Sequence, residues 1–178
     1  MKRVALIVSL ALAAVPAVAS AQIGFGVAAG AAFPLSDFGN AYSSGYHAQA
    51  SLDLAIPLSP IGFRFDGTLD HFDAKGSSAV SGSSRIIGGS ANVMMGFGAV
   101  PLLGPYVIAG VGAYNTNFEA KSGTTTVSSS ETKPGGGVGV GIRFGLAGFG
   151  VFAETKYNYI ASSGTSVQFV PVMFGISF

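Results

Sequence analysis

The chain has 178 residues, 27 of them glycine, with no cysteine and no tryptophan; 49% are hydrophobic, 10% are charged, and the formal net charge is +1. Length fits a single domain, but charge is too sparse to coat a soluble one, where about a quarter of residues are usually charged. Absence of cysteine excludes disulfides, thiol nucleophiles and thiolate metal sites, and the near-neutral balance gives no basic field for nucleic acid.

The first 21 residues read as an export signal. Lys2 and Arg3 form a positive n-region, Val4 to Val15 an apolar core, and Ala19–Ser20–Ala21 an A-x-A cleavage site. The apolar core is too short to span a bilayer of roughly 30 Å as a helix, which argues against a membrane anchor. Residues 1–21 are therefore expected to be removed after passage through the Sec pathway, and residues 22–178 to form the mature domain. That domain has seven basic and eight acidic residues.

After Gln22 the apolar residues recur with period two, and no segment reads as a convincing amphipathic helix. Eight strands are expected. The first is Ile23–Phe33, with Ile23, Phe25, Val27 and Phe33 alternating with Gly24, Gly26, Ala28 and Gly30. The second, Tyr46–Ile56, sets Leu52 and Leu54 against His47, Gln49, Ser51 and Asp53. The third, Ile61–Phe72, sets Phe63, Phe65 and Leu69 against Arg64, Asp66, Thr68 and Asp70. The fourth, Arg85–Phe97, has Ile87, Ala91, Val93 and Met95 on one face, with Ser90 and Asn92 on the other. The fifth, Tyr106–Asn115, has less distinct faces, with Val107, Ala109, Val111 and Ala113 on the apolar side. The sixth is Gly135–Leu146, "GGGVGVGIRFGL". The seventh, Phe149–Ile160, sets Val151, Ala153, Tyr157 and Tyr159 against Phe152, Glu154, Lys156 and Asn158. The last is Val167–Phe178.

The connections Pro57–Pro60, Ala99–Gly104 and Ala147–Gly148 are short. Pro34–Gly45, Ala74–Ser84 and Phe118–Pro134 are long and polar, and Ala161–Ser166 is of middling length. The longest carries "KSGTTTVSSSETKP", so Ser122, Thr124, Thr125, Thr126, Ser128, Ser129 and Ser130 are candidate surface-loop binding residues, because loops on a rigid scaffold often carry recognition. A hydrated coat without a partner is the competing reading.

Alternation defines two faces without saying which is inside, and a soluble eight-stranded barrel would also alternate. The sorting of charge decides. Outside the loops, Asp53, Arg64, Asp66, Asp70, Arg143, Glu154 and Lys156 share one face with most of the glycines, and the opposite face is Val, Leu, Ile, Phe and Ala. Small residues suit a lumen that eight strands leave barely wide enough for side chains. Bulky apolar ones suit lipid. An open sheet edge in a bilayer would leave N–H and C=O groups unpaired, so the sheet must close. The expected fold is all-β: an eight-stranded antiparallel up-and-down transmembrane β-barrel of an outer membrane.

The stretches "VQFVPVMFGISF", "PYVIAGVGAYN" and "GVGVGIRFGLAGFGVFAETKYNYI" carry a resemblance across the whole mature chain. It resembles the small eight-stranded outer-membrane barrels, the group that includes OmpX-like, opacity-protein-like and OmpA transmembrane-domain-like proteins. The resemblance implies a C-terminal assembly signal read by the outer-membrane assembly machinery, matched here by Phe174, Ile176 and Phe178 with Val172. The glycine often found five residues before the end is Met173. It also implies contact with outer-membrane lipid and lipopolysaccharide, and a structural or adhesin-like role with an unidentified extracellular ligand. A narrow pore is the second reading, and a lipid-acting outer-membrane enzyme the third.

The polar face supplies the other candidate residues. If Pro57–Pro60 is a four-residue connection, Asp53 opposes Arg64, Ser51 opposes Asp66, Gln49 opposes Thr68 and His47 opposes Asp70. Asp53 and Arg64 are then expected in contact, and Arg143 is expected to reach its diagonal neighbour Glu154. His47, Asp53, Arg64, Asp66, Asp70, Arg143, Glu154 and Lys156 would form a salt-bridged lumen network that holds the barrel closed, since an unpaired charge there is costly. An ion path is the alternative.

No catalytic residues, metal or cofactor are expected. His47 with Asp70 and a nearby serine could imitate a hydrolase arrangement, but there is no G-x-S-x-G, and two histidines with scattered acids lack metal spacing. A phosphate loop at Gly139 and Gly141 would need glycine at 144, where Phe144 stands.

Overall fold

A computed structural model describes residues 22–75, 80–97, 103–122, 125–146, 148–161 and 166–178. The proposed signal segment, residues 1–21, lies outside the described residues. The eight strands are β1 (Gln22–Pro34), β2 (Gly45–Ala55), β3 (Ile61–Asp73), β4 (Val80–Gly96), β5 (Leu103–Ser122), β6 (Thr125–Leu146), β7 (Phe149–Ile160) and β8 (Val167–Ser177). Each pairs antiparallel with its sequence neighbours, and β1 pairs with β8 to close the barrel.

Walking the pairings once around from Gly24 passes Asp53, Arg64, Asn92, Gly110, Gly137, Asn158 and Phe169. It returns to the first strand at Pro34, ten residues beyond the start. A shear of this size in an eight-stranded barrel tilts the strands by roughly 35–45°. The register is held by the pleat, because a slip of one residue would turn every inner side chain to the outer face.

Alternation places the bulky apolar residues outside. Ile23, Phe25, Phe63, Phe65, Val93, Val111, Val138, Phe144 and Phe174 are all exposed on the outer wall. Gly135, Gly139 and Gly141 of β6 lie inside, where a side chain would meet its neighbours. A Cβ on Gly141 would run into the Tyr106 ring, one on Gly139 into Lys156, and one on Gly135 into Tyr114. One turn demands glycine for its backbone: Gly148, in the connection between β6 and β7, has φ 90, a left-handed conformation that costs other residues strain.

Three features depart from the sequence reading. First, the connection between β1 and β2 contains a short helix, α1 (Ser36–Ala41). It is too short for the helical period to register. Tertiary contacts hold it: Leu35 N–H donates to Gln168 O at 2.9 Å, and Lys75 Nζ to Gly39 O at 2.6 Å.

Second, the polar segment expected as a loop is mostly strand. β5 and β6 run on to Ser122 and Thr125, which pair with each other. Asn115 Nδ2 donates to Thr132 Oγ1 at 2.9 Å, and Ser130 Oγ to Asn115 Oδ1 at 3.2 Å. Ser and Thr ladders need no apolar alternation when both faces meet water, so the hydropathy pattern stops where the hydrogen bonding continues. Ser128, Ser129 and Ser130 are exposed, Ser122, Thr125 and Thr126 lie in the paired strands, and Thr124 falls outside the described residues.

Third, the inner face does not hold every strand charge. Asp73 and Arg85 lie in the loop-side parts of β3 and β4 and face outwards, beside His71, which the sequence already places on the outer rim, because β3 and β4 extend past the apolar band.

Candidate functional site

The lumen is the site, and it is layered. At the loop end Phe38 of α1 enters an apolar cluster with Ala32, Phe72, Ile86, Tyr114, Ile160, Val167 and Phe169. The Phe38 and Phe72 rings meet edge-on at 5.1 Å, and Phe72 meets Phe169 at 5.5 Å. Such pairs add to simple area burial.

Below this cap His47 Nδ1 lies 2.6 Å from Asp70 Oδ1, both buried. These two residues are also Cα partners across β2 and β3. Together with Gln49, Thr68, Lys156 and Asn158 they line a small enclosed pocket.

The middle layer is centred on Arg64, whose side chain is wholly buried. Its Nη1 and Nη2 each donate to a Glu154 oxygen at 2.6 Å, a bidentate pair. Its Nε lies 2.8 Å from Asp66 Oδ1. Tyr106 O–H donates to Glu154 Oε2 at 2.6 Å. Lys156 Nζ donates to Asn92 Oδ1 at 2.7 Å and stands 3.7 Å from Asp66 Oδ2, which accepts from Asn92 Nδ2 at 2.9 Å. Two cations and two carboxylates thus share one dry layer, each with a partner.

At the end where β1 begins and β8 finishes, Arg143 Nη2 lies 3.4 Å from Asp53 Oδ2, and its guanidinium carbon 5.8 Å from the centre of the Tyr106 ring. This layer is wetter, with the Arg143 side chain 35% exposed.

All eight residues singled out from the sequence line the lumen, but two ion pairs exchange partners. Asp53 and Arg64 are Cα partners as expected, yet the Arg64 guanidinium binds Glu154 and Asp66, and Asp53 takes Arg143. The expected Arg143–Glu154 contact gives way to the same exchange. β3 and β7 stand opposite each other in the ring, as do β2 and β6. Both arginines therefore reach across the lumen, Arg64 to Glu154 and Arg143 to Asp53, while Arg64 also holds Asp66 of its own strand. Pairing arithmetic between neighbouring strands cannot see a contact across a diameter.

Sequence reasoning misses Tyr106, although its even-numbered position in the fifth strand puts it on the inner side with the glycines. Phe38 gives no signal at all. At the C-terminus Phe174, Ile176 and Phe178 all face outwards and are exposed. Phe178 exchanges backbone hydrogen bonds with Phe25, at 2.8 and 3.0 Å.

A closed, even-stranded antiparallel barrel with an apolar outer wall and buried charges within defines the class: a transmembrane β-barrel of the outer membrane. The chain belongs to the outer membrane protein beta-barrel domain family, whose model matches residues 4–178. The fold is shared with neisserial surface protein A, at 20% identity and a TM-score of 0.65 over 88% of this chain and 97% of that one. A major outer membrane protein from Thermus thermophilus matches at 14% identity and a TM-score of 0.62, over 88% and 99%. The attachment invasion locus protein Ail of Yersinia pestis matches at 17% identity and a TM-score of 0.52, over 89% and 97%. No curated protein sequence matches the chain.

Proposed function

We propose that this outer-membrane barrel is a structural and surface-interaction protein, closed to ions by its own side chains, and not an enzyme. The observation that carries this reading is the bidentate Arg64–Glu154 pair, which spans the lumen with both side chains fully buried. The apolar cluster around Phe38 supports it from the loop end. The long β5–β6 hairpin, with exposed Ser128, Ser129 and Ser130, offers a polar surface for an extracellular ligand. Ail, a structural relative, has been crystallised with the heparin analogue sucrose octasulfate, so ligand binding is compatible with this fold. Export through the Sec pathway with removal of residues 1–21, and reading of Phe174, Ile176 and Phe178 by the assembly machinery, belong to the same proposal.

Planar-bilayer recording tests closure. The intact barrel is expected to be silent, and steady ohmic current from it would overturn the closed reading in favour of a narrow pore. Deletion of Ser122–Lys133 tests the interaction role: adherence or serum-factor binding should fall, and no change would count against it.

A further inference from the structure

Between the Phe38 cap and the Arg64 network lies the enclosed pocket, lined among others by His47 and Gln49 of β2, Thr68 and Asp70 of β3, and Lys156 of β7. Four side-chain atoms of these residues are buried without a hydrogen-bond partner among the described residues: His47 Nε2, Gln49 Nε2, Thr68 Oγ1 and Asp70 Oδ2. His47, Gln49 and Asp70 are each more than nine-tenths buried. An unpaired polar atom in such a place is costly, and four of them around one cavity call for a shared partner.

The wall is loosened here for a backbone reason. The β7–β8 register runs from Gly150 to Thr155 and resumes at Asn158. Pro171 of β8, which lines the pocket, lies opposite that interval and has no N–H to offer the ladder.

Size and charge select the occupant. The cavity is about 10 Å³, close to the space one water molecule needs. A cation would meet the Lys156 ammonium and an anion the Asp70 carboxylate, so a neutral molecule fits. The hydrogen-bonding roles agree. An ionised carboxylate only accepts, so the 2.6 Å contact with Asp70 Oδ1 makes His47 Nδ1 the donor. In the neutral ring Nε2 is then an acceptor. Asp70 Oδ2 is a second acceptor, while the Gln49 amide and the Thr68 hydroxyl can donate. Two acceptors and two donors complement the two protons and two lone pairs of water.

We infer that this pocket binds a single ordered water molecule. It donates to His47 Nε2 and Asp70 Oδ2, accepts from Gln49 Nε2 and Thr68 Oγ1, and holds His47 as its Nδ1–H tautomer. The polar network thereby extends to the underside of the apolar cap. The site stands independently of any extracellular ligand.

Three measurements test it. A crystal structure of the mature barrel that resolves ordered water should show density within hydrogen-bonding distance of His47 Nε2 and Asp70 Oδ2, and no density there would overturn the site. Nitrogen-15 NMR of the His47 ring in micelles should show Nδ1 protonated and Nε2 bare. The opposite tautomer would overturn the donor and acceptor assignment, and ring signals that move when sodium chloride is replaced by a salt of bulky ions would mean an ion instead of water. Thr68→Val keeps the side-chain shape and removes the hydroxyl, with heat-modifiable migration on a gel confirming that the variant folds. If the hydroxyl donates to water, the urea midpoint should fall. A midpoint that holds or rises would mean that the hydroxyl was unpaired, and would overturn its bond to water.

Discussion

The two ends of the lumen are packed by different physics. At the loop end Phe38, Phe72 and Phe169 pack as an apolar cap, which tolerates apolar side chains of similar volume. In the middle and at the far end, the packing is ionic: Arg64 with Glu154 and Asp66, then Arg143 with Asp53. A buried ion pair is weak evidence of stabilisation when intact, yet very costly when halved. The cap is therefore the replaceable part, and the network is the part that punishes error.

Halving the dry pair is expected to have the largest effect. Glu154→Ala leaves Arg64 buried with only Asp66 and should cost about 3–5 kcal/mol, read from urea titration of the barrel in micelles. The double change Arg64→Met with Glu154→Leu should recover most of that loss. If Glu154→Ala proves as mild as a surface change, the contrast between the two ends disappears.

Phe38→Ala attacks the other end. The cost should be about 3 kcal/mol but local, appearing as lost amide protection in Ser36–Ala41 while the strands keep theirs. Equal loss in the strands would mean that cap and barrel unfold as one. Gly141→Leu drives a side chain into Tyr106 and should cost about 1–3 kcal/mol, with Gly67→Leu on the open outer wall as the mild control. Arg143→Gln should be the smallest change, below about 1 kcal/mol, because that pair is part-exposed and 3.4 Å long. A larger loss there would place the wet layer with the dry one.

Much of the barrel is legible in the residues themselves. Period two in "GVGVGIRFGL" separates Val138, Val140 and Ile142 from Gly139, Gly141 and Arg143, and the structure keeps that division. The short turn after Ile56 sets the β2–β3 register correctly down to His47 opposite Asp70. Legibility fails where the signal is not local and periodic. The Ser/Thr hairpin beyond Asn115 carries hydrogen bonds without hydropathy contrast, and α1 is shorter than two helical turns.

The sequence by itself determined the face, the strand count and the need to close, because lipid admits no unpaired backbone and no stray charge. Only the tertiary structure decided which charge meets which. Arg64 finds Glu154, and Arg143 finds Asp53, on the far wall, and that distance exists only once β1 has joined β8 and the shear of ten has set the barrel's width. A side chain's neighbours along the sheet are written in register, whereas its neighbours across the lumen follow from a radius that no single pair of strands contains.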